Sequence, residues 1–69
     1  MTLQEMVRHL IESEGWTQTR IASEAGVTQP IVHRAFNGVD IHYSNGRKLE
    51  QLFHRIVSEA RIVRTKTDQ

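Results

Sequence analysis

An all-α domain of four to five short helices is predicted by three observations. Apolar residues recur at three-and-four spacing in separate stretches, which places each set on one helical face. Each stretch is preceded by Thr, Ser or Asn and followed, in the first three cases, by Gly or Asn-Gly. The chain has 69 residues and no cysteine, so it has room for one modest core and no disulfide or thiolate metal site to support it.

The first helix is expected over about residues 2–14. Leu3, Met6, Val7, Leu10 and Ile11 form its apolar face, Thr2 caps it with Glu5 in capping-box position, and Gly15 stops it. Trp16 then covers the core beside the first turn. A second helix is expected over about residues 18–25, with Thr17 as N-cap, Ile21, Ala22 and Ala25 inward, and Gly26 supplying the left-handed exit. Val27 fills the corner. Thr28 caps a third helix over about residues 29–37, with Pro30 in the first turn, where its missing N–H does no harm, and Asn37-Gly38 as the stop.

Val39 to Tyr43 reads as a loop. Ser44 or Asn45 is expected to cap the last helix, at about residues 45–60, whose apolar stripe is Leu49, Leu52, Phe53, Ile56, Val57 and Ala60. The chain divides into a domain at 1–60 and a basic, polar tail at 61–69 around Ile62 and Val63. Either the fourth helix is long or a fifth is vestigial.

Composition narrows the function classes. Net charge is +1, but its distribution is uneven. Up to residue 32, Glu5, Glu12, Glu14 and Glu24 outnumber Arg8 and Arg20. Beyond it, Arg34, Arg47, Lys48, Arg55, Arg61, Arg64 and Lys66 outnumber the acids. Basic charge therefore gathers where a polyanion can be met, although solvated helix faces explain it equally well. No apolar run approaches the roughly 20 residues that cross a bilayer, and Met1 to Met6 lacks the layout of a secretory leader, so a cytoplasmic protein is expected. His9, His33, His42 and His54 show no i, i+4 pairing, which argues against zinc. With no glycine-rich phosphate loop and little room for a cleft, neither catalysis nor a cofactor is expected.

The informative stretch is 18–37, two short threonine-led helices joined by a Gly-Val turn, with Ala22 small where helices cross. This combination reads as a helix-turn-helix. An αα-hairpin serving only structure explains Ile21, Ala22, Gly26 and Val32 as well. It does not explain the outward stripe of the third helix, Gln29, Pro30, His33, Arg34 and Asn37, which carries amide and cationic donors and no carboxylate.

From Gln18 to Gly38 the chain resembles the lambda repressor-like (Cro and XRE) helix-turn-helix domains of phage and bacterial regulators. The resemblance rests on Gln at the start of the second and third helices, the Ala-to-Gly spacing between them, and the run Ala35-Phe36-Asn37-Gly38-Val39. It implies a DNA-binding repressor or related regulator whose recognition helix, residues 28–37, enters the major groove of double-stranded DNA. Gln29 then reads a base edge, adenine N6 and N7 being the natural partners of its amide, and Arg34 reads guanine O6 and N7. Pro30 stands where relatives place a polar base reader and is limited to apolar contact with a thymine methyl.

Gln18 and Asn37 are implied to bond backbone phosphates, Gln18 also bracing Gln29, and Thr28 is grouped with them. His33 either touches a base edge or phosphate or is a wetted surface histidine. Ile31 packs internally, contacts a methyl or sits exposed. Tyr43, Ser44, Asn45 and Arg47 form a second set of phosphate donors near a helix N-terminus, with Asp40 an unfavourable neighbour. Phe53 is core or dimer surface. With Val57, Ala60, Ile62 and Val63 it marks the expected homodimer contact, since one module of this size covers little DNA. The rival expectations are a protein-interaction module of the same fold, of antitoxin or anti-repressor type, and an architectural binder without sequence preference.

Overall fold

In the computed structural model four helices follow one another, α1 (Leu3–Glu12), α2 (Gln18–Ala25), α3 (Gln29–Phe36) and α4 (Tyr43–Thr67). Residues 1–67 are described, with side chains as far as Glu59. The first three helices match the sequence expectation to within two residues at each end.

Their boundaries have local causes. The backbone N–H of Glu5 donates to Thr2 Oγ1 at 3.2 Å, and the N–H of Thr2 donates to Glu5 Oε1 at 2.8 Å. This reciprocal box satisfies two donors that the first turn would otherwise leave unpaired. It also holds the Glu5 carboxyl below its ordinary pKa, chiefly through the hydrogen bond from the Thr2 backbone. Thr17 caps α2 in the simpler way, accepting from the Arg20 N–H at 3.1 Å. Gly26 closes α2 in the left-handed conformation, φ +80°, which a residue with a Cβ adopts only at a cost.

Thr28 behaves differently. It sits at the N-cap of α3, but its hydroxyl makes no capping bond. The second helical residue is Pro30, which has no N–H, and the N–H of the third, Ile31, donates to the Thr28 carbonyl instead at 3.1 Å. The expected side-chain cap therefore fails for want of a donor, and α3 is held by packing. Asn37 lies just past the helix as its C-cap.

The largest departure is α4. Its cap is neither Ser44 nor Asn45. The helix begins at Tyr43, and the His42 carbonyl accepts from the N–H groups of Asn45 and Gly46, both at 3.0 Å. The His42 ring completes the cap, Nδ1 accepting from the Ser44 N–H at 3.3 Å and lying 2.9 Å from Ser44 Oγ. The helix then runs unbroken past residue 60 to Thr67, so the long fourth helix is found in place of a vestigial fifth.

The core is wholly apolar. Met6, Val7 and Leu10 from α1, Trp16 from the turn that follows, Ile21 and Ala22 from α2, Val32 and Ala35 from α3, and Leu49, Leu52 and Phe53 from α4 are buried together. Ile31, Phe36, Ile41, Ile56 and Val57 pack against them half-buried. Among the described residues no polar or charged side chain is buried and no buried side-chain polar atom lacks a partner.

α3 is embraced by α1 and α2, and α4 closes the bundle against both. Polar contacts pin the rim. Gln4 Nε2 donates to the Phe36 carbonyl at 3.2 Å, the Arg8 guanidinium lies 4.6 Å from the Phe36 ring centre, and Arg55 reaches Glu24 at 3.3 Å, joining α4 to α2. Among the described residues no helix is long and apolar enough to cross a membrane.

Candidate functional site

With Val32 and Ala35 turned into the core, helical periodicity directs Gln29, Pro30, His33, Arg34 and Asn37 outward, and all five are exposed. The stripe named from the sequence is thus a continuous surface. It lies in a stretch, residues 25–39, without a carboxylate. Ile31 resolves the other way, half-buried against the core.

The stripe extends onto α2. Gln18, the first residue of α2, is half-buried and touches two residues of α3. Gln29 Nε2 donates to Gln18 Oε1, which is the brace the sequence resemblance implied. Gln18 Nε2 also lies 3.5 Å from His33 Nδ1. On the far side of the ring, Asn37 Nδ2 is 3.2 Å from His33 Nε2 and donates to the His33 carbonyl at 3.0 Å. Gln29, Gln18, His33 and Asn37 therefore form one connected line of polar contacts across two helices.

Nothing in the spacing of the sequence marks the His33 link. It joins residues fifteen positions apart, and only the way α2 lies on α3 brings them together.

Arg34 stands beside this line with neither an ion-pair nor a hydrogen-bond partner among the described residues. Other arginines are engaged: Arg8 with Glu12 at 3.6 Å, Arg55 with Glu24 at 3.3 Å, Arg20 over the Trp16 ring at 3.9 Å, and Arg47 with the Tyr43 hydroxyl at 3.1 Å. An exposed guanidinium with no neighbouring acid retains its five donors for a carboxylate, a phosphate or a base edge. The Thr28 hydroxyl, released from capping, is also exposed.

The second group divides. Tyr43, Ser44 and Arg47 are exposed and Asn45 is half-buried at the start of α4. The His42 ring already engages the Ser44 hydroxyl and backbone N–H. Tyr43 and Arg47 line an open groove of about 540 Å³ between the start of α1, the loop at 38–42 and α4. Asp40 and Glu50 line it too, so its charge is mixed, unlike the stripe on α3.

The residues expected at a dimer contact also separate. Phe53 is buried in the chain's own core, with the His9 and His54 rings edge-on at 5.5 and 5.4 Å. Val57 remains half-buried at the margin. Ala60, Ile62 and Val63 lie outside the residues whose side chains are described. Among the described residues no group of His, Cys, Asp and Glu is arranged to hold a metal. Comparison of the chain with protein-family models, with curated proteins and with solved structures finds no match.

Proposed function

We propose that this chain is a sequence-specific, double-stranded DNA-binding regulator of the lambda repressor-like (Cro and XRE) helix-turn-helix type. Residues 28–37 form its recognition helix, and it has no catalytic activity. The observation that carries the reading is the carboxylate-free outer face of α3, on which Gln29 is braced from α2 by Gln18 and Arg34 has no partner among the described residues. Leaving a guanidinium and several amides exposed together without an acid suits a ligand rich in acceptors. Duplex DNA offers these as phosphate oxygens and as the purine edges of the major groove.

The roles follow from position. Gln29 and Arg34 reach base edges, and Pro30 offers apolar contact alone. Gln18 and the Thr28 hydroxyl bond phosphates and so fix register, with Tyr43, Ser44, Asn45 and Arg47 as a further phosphate-facing set, whereas the Asn37 Nδ2 group is turned to His33 and the implied phosphate contact of Asn37 requires it to turn away. Two copies would bind a two-fold related site, paired through the α4 surface beyond Phe53, because one such module buries too little DNA for tight binding.

The decisive experiment is selection from random duplex DNA, followed by binding at several salt concentrations. A defined site whose affinity falls steeply with salt is expected. Equal affinity for scrambled duplexes would replace this reading with an architectural one. A second reading draws support from the groove beside α1, flanked by the exposed Val39 and Tyr43: a protein-interaction module of antitoxin or anti-repressor type. It requires that Tyr43→Ala abolish partner binding while the α3 substitutions leave it intact.

A further inference from the structure

The line Gln29–Gln18–His33–Asn37 contains a conflict whose resolution has a consequence for what Gln29 offers. Both ring nitrogens of His33 face amide nitrogens, Nδ1 facing Gln18 Nε2 at 3.5 Å and Nε2 facing Asn37 Nδ2 at 3.2 Å. A neutral imidazole accepts at only one nitrogen, and an imidazolium at neither. One of these contacts therefore cannot be a hydrogen bond while both amides keep that orientation.

Asn37 is the fixed end. Its Nδ2 donates to the His33 backbone carbonyl at 3.0 Å, and a carbonyl can only accept. Turning the Asn37 amide by half a revolution would set oxygen against oxygen. The remaining hydrogen of Nδ2 points at His33 Nε2, which must then be the acceptor, and the ring proton resides on Nδ1.

Gln18 has no such anchor. Half a turn of its amide, which exchanges O and N without moving the rest of the side chain, sets Oε1 against the Nδ1–H. Gln18 Nε2 then faces Gln29, and a matching half-turn of Gln29 supplies Oε1 as acceptor. Every contact becomes a proper donor–acceptor pair: Asn37 donates to His33, His33 to Gln18, and Gln18 to Gln29.

We infer that His33 is a positioning residue that determines specificity: as its Nδ1–H tautomer it orders the amides of Gln18 and Gln29, so that Gln29 turns its oxygen towards Gln18 and presents its Nε2–H donors outermost. This deepens, and rests on, the DNA-binding reading. A reader whose outermost group is a donor matches a base edge carrying acceptors, guanine O6 foremost. It meets the N6 amino group of adenine donor to donor. Gln29 therefore selects guanine, in place of the two-bond adenine contact that the sequence resemblance implied.

The test has two independent arms on the full chain. In the first, ¹⁵N spectra of the His33 ring in DNA-free protein should show the Nδ1–H tautomer predominating, and Gln18→Met, which removes the acceptor, should shift the population towards Nε2–H. A predominant Nε2–H tautomer in the unmodified protein overturns the inference.

In the second arm, random duplexes are selected with the unmodified protein and with variants. The base faced by residue 29 is identified as the position whose preference Gln29→Ala abolishes. Guanine should be favoured over adenine there by about tenfold. His33→Ala, at an exposed site, should reduce that preference to within about twofold while leaving other positions unchanged. Gln18→Glu can only accept, so it should draw Gln29 Nε2 inward, expose the oxygen and reverse the preference towards adenine.

Adenine preference in the unmodified protein, or a preference indifferent to His33→Ala, overturns the inference while leaving DNA binding established. Absence of any salt-dependent duplex binding overturns the DNA reading and the choice of base with it. The ring tautomer then still decides whether the amides are ordered as described.

Discussion

α1 and α3 begin alike and end up with opposite surfaces. Each starts after a threonine with extended backbone and turns an apolar face into the same core. On α1 the charged groups are paired within the helix or just beyond its ends. Thr2 and Glu5 close a capping box, Arg8 pairs with Glu12, and His9 reaches Glu14 at 3.2 Å. On α3 the Thr28 hydroxyl caps nothing, no acid is present, and Arg34 has no partner among the described residues. A helix that satisfies itself is a structural element, whereas one that leaves donors open relies on its neighbours for stability and offers those donors to a ligand.

In the core both helices should matter for folding alone. Leu10→Ala, at a fully buried site, should cost about 2–5 kcal/mol in chemical denaturation, a large share of what a domain of this size possesses. On the outer face the effects should separate. Gln29→Ala and Arg34→Ala should each weaken binding to the selected duplex by about 1–3 kcal/mol in a base-selective manner. Each should leave stability within about 0.5 kcal/mol of the parent. Arg8→Ala, on the self-satisfied helix, should not alter DNA binding.

At the two threonines the asymmetry should appear in stability. Thr2→Ala should cost about 1 kcal/mol, and Thr28→Ala markedly less, because no capping bond is lost. Equal costs would mean that Thr28 caps α3 as Thr2 caps α1.

The smallest effect concerns pH. The folded-state pKa of Glu5 is depressed, so its contribution is fully present above the ordinary carboxylate value and is lost as pH falls through the depressed one. The stability difference between the parent and Glu5→Ala should therefore shrink on acidification. No acid on α3 adds to that trend.

Much of this arrangement was legible in the chain, and the exceptions have physical causes. The bounds of α2 followed from Thr17 and Gly26 because those residues act locally, whereas α3 begins after Thr28 although that hydroxyl makes no capping bond. The start of α4 was misplaced because a histidine ring supplied the acceptor usually furnished by Ser or Asn. Its end was misplaced because nothing from Ala60 to Thr67 is a Gly or Pro to stop a helix. Phe53 remained ambiguous, since periodicity selects a face but not its depth.

In the site, the exposed stripe followed from periodicity once Val32 and Ala35 were taken as inward, and the Gln18–Gln29 brace from the resemblance. The His33 link and the release of the Thr28 hydroxyl did not. The first depends on how two helices lie together, the second on which backbone donors Pro30 removes and Ile31 commits elsewhere.

The wholly apolar interior has a consequence of another kind. With no buried polar side chain to keep paired among the described residues, exchanges among Ile, Leu, Val and Met that conserve volume cost less than about 1.5 kcal/mol each. The interior is thus a matter of size and shape more than of identity, and its residues can be replaced a few at a time. The outer positions of α3 carry no packing duty and are free in the complementary sense. A scaffold divided in this way allows its reading surface to be rewritten without rebuilding what holds it.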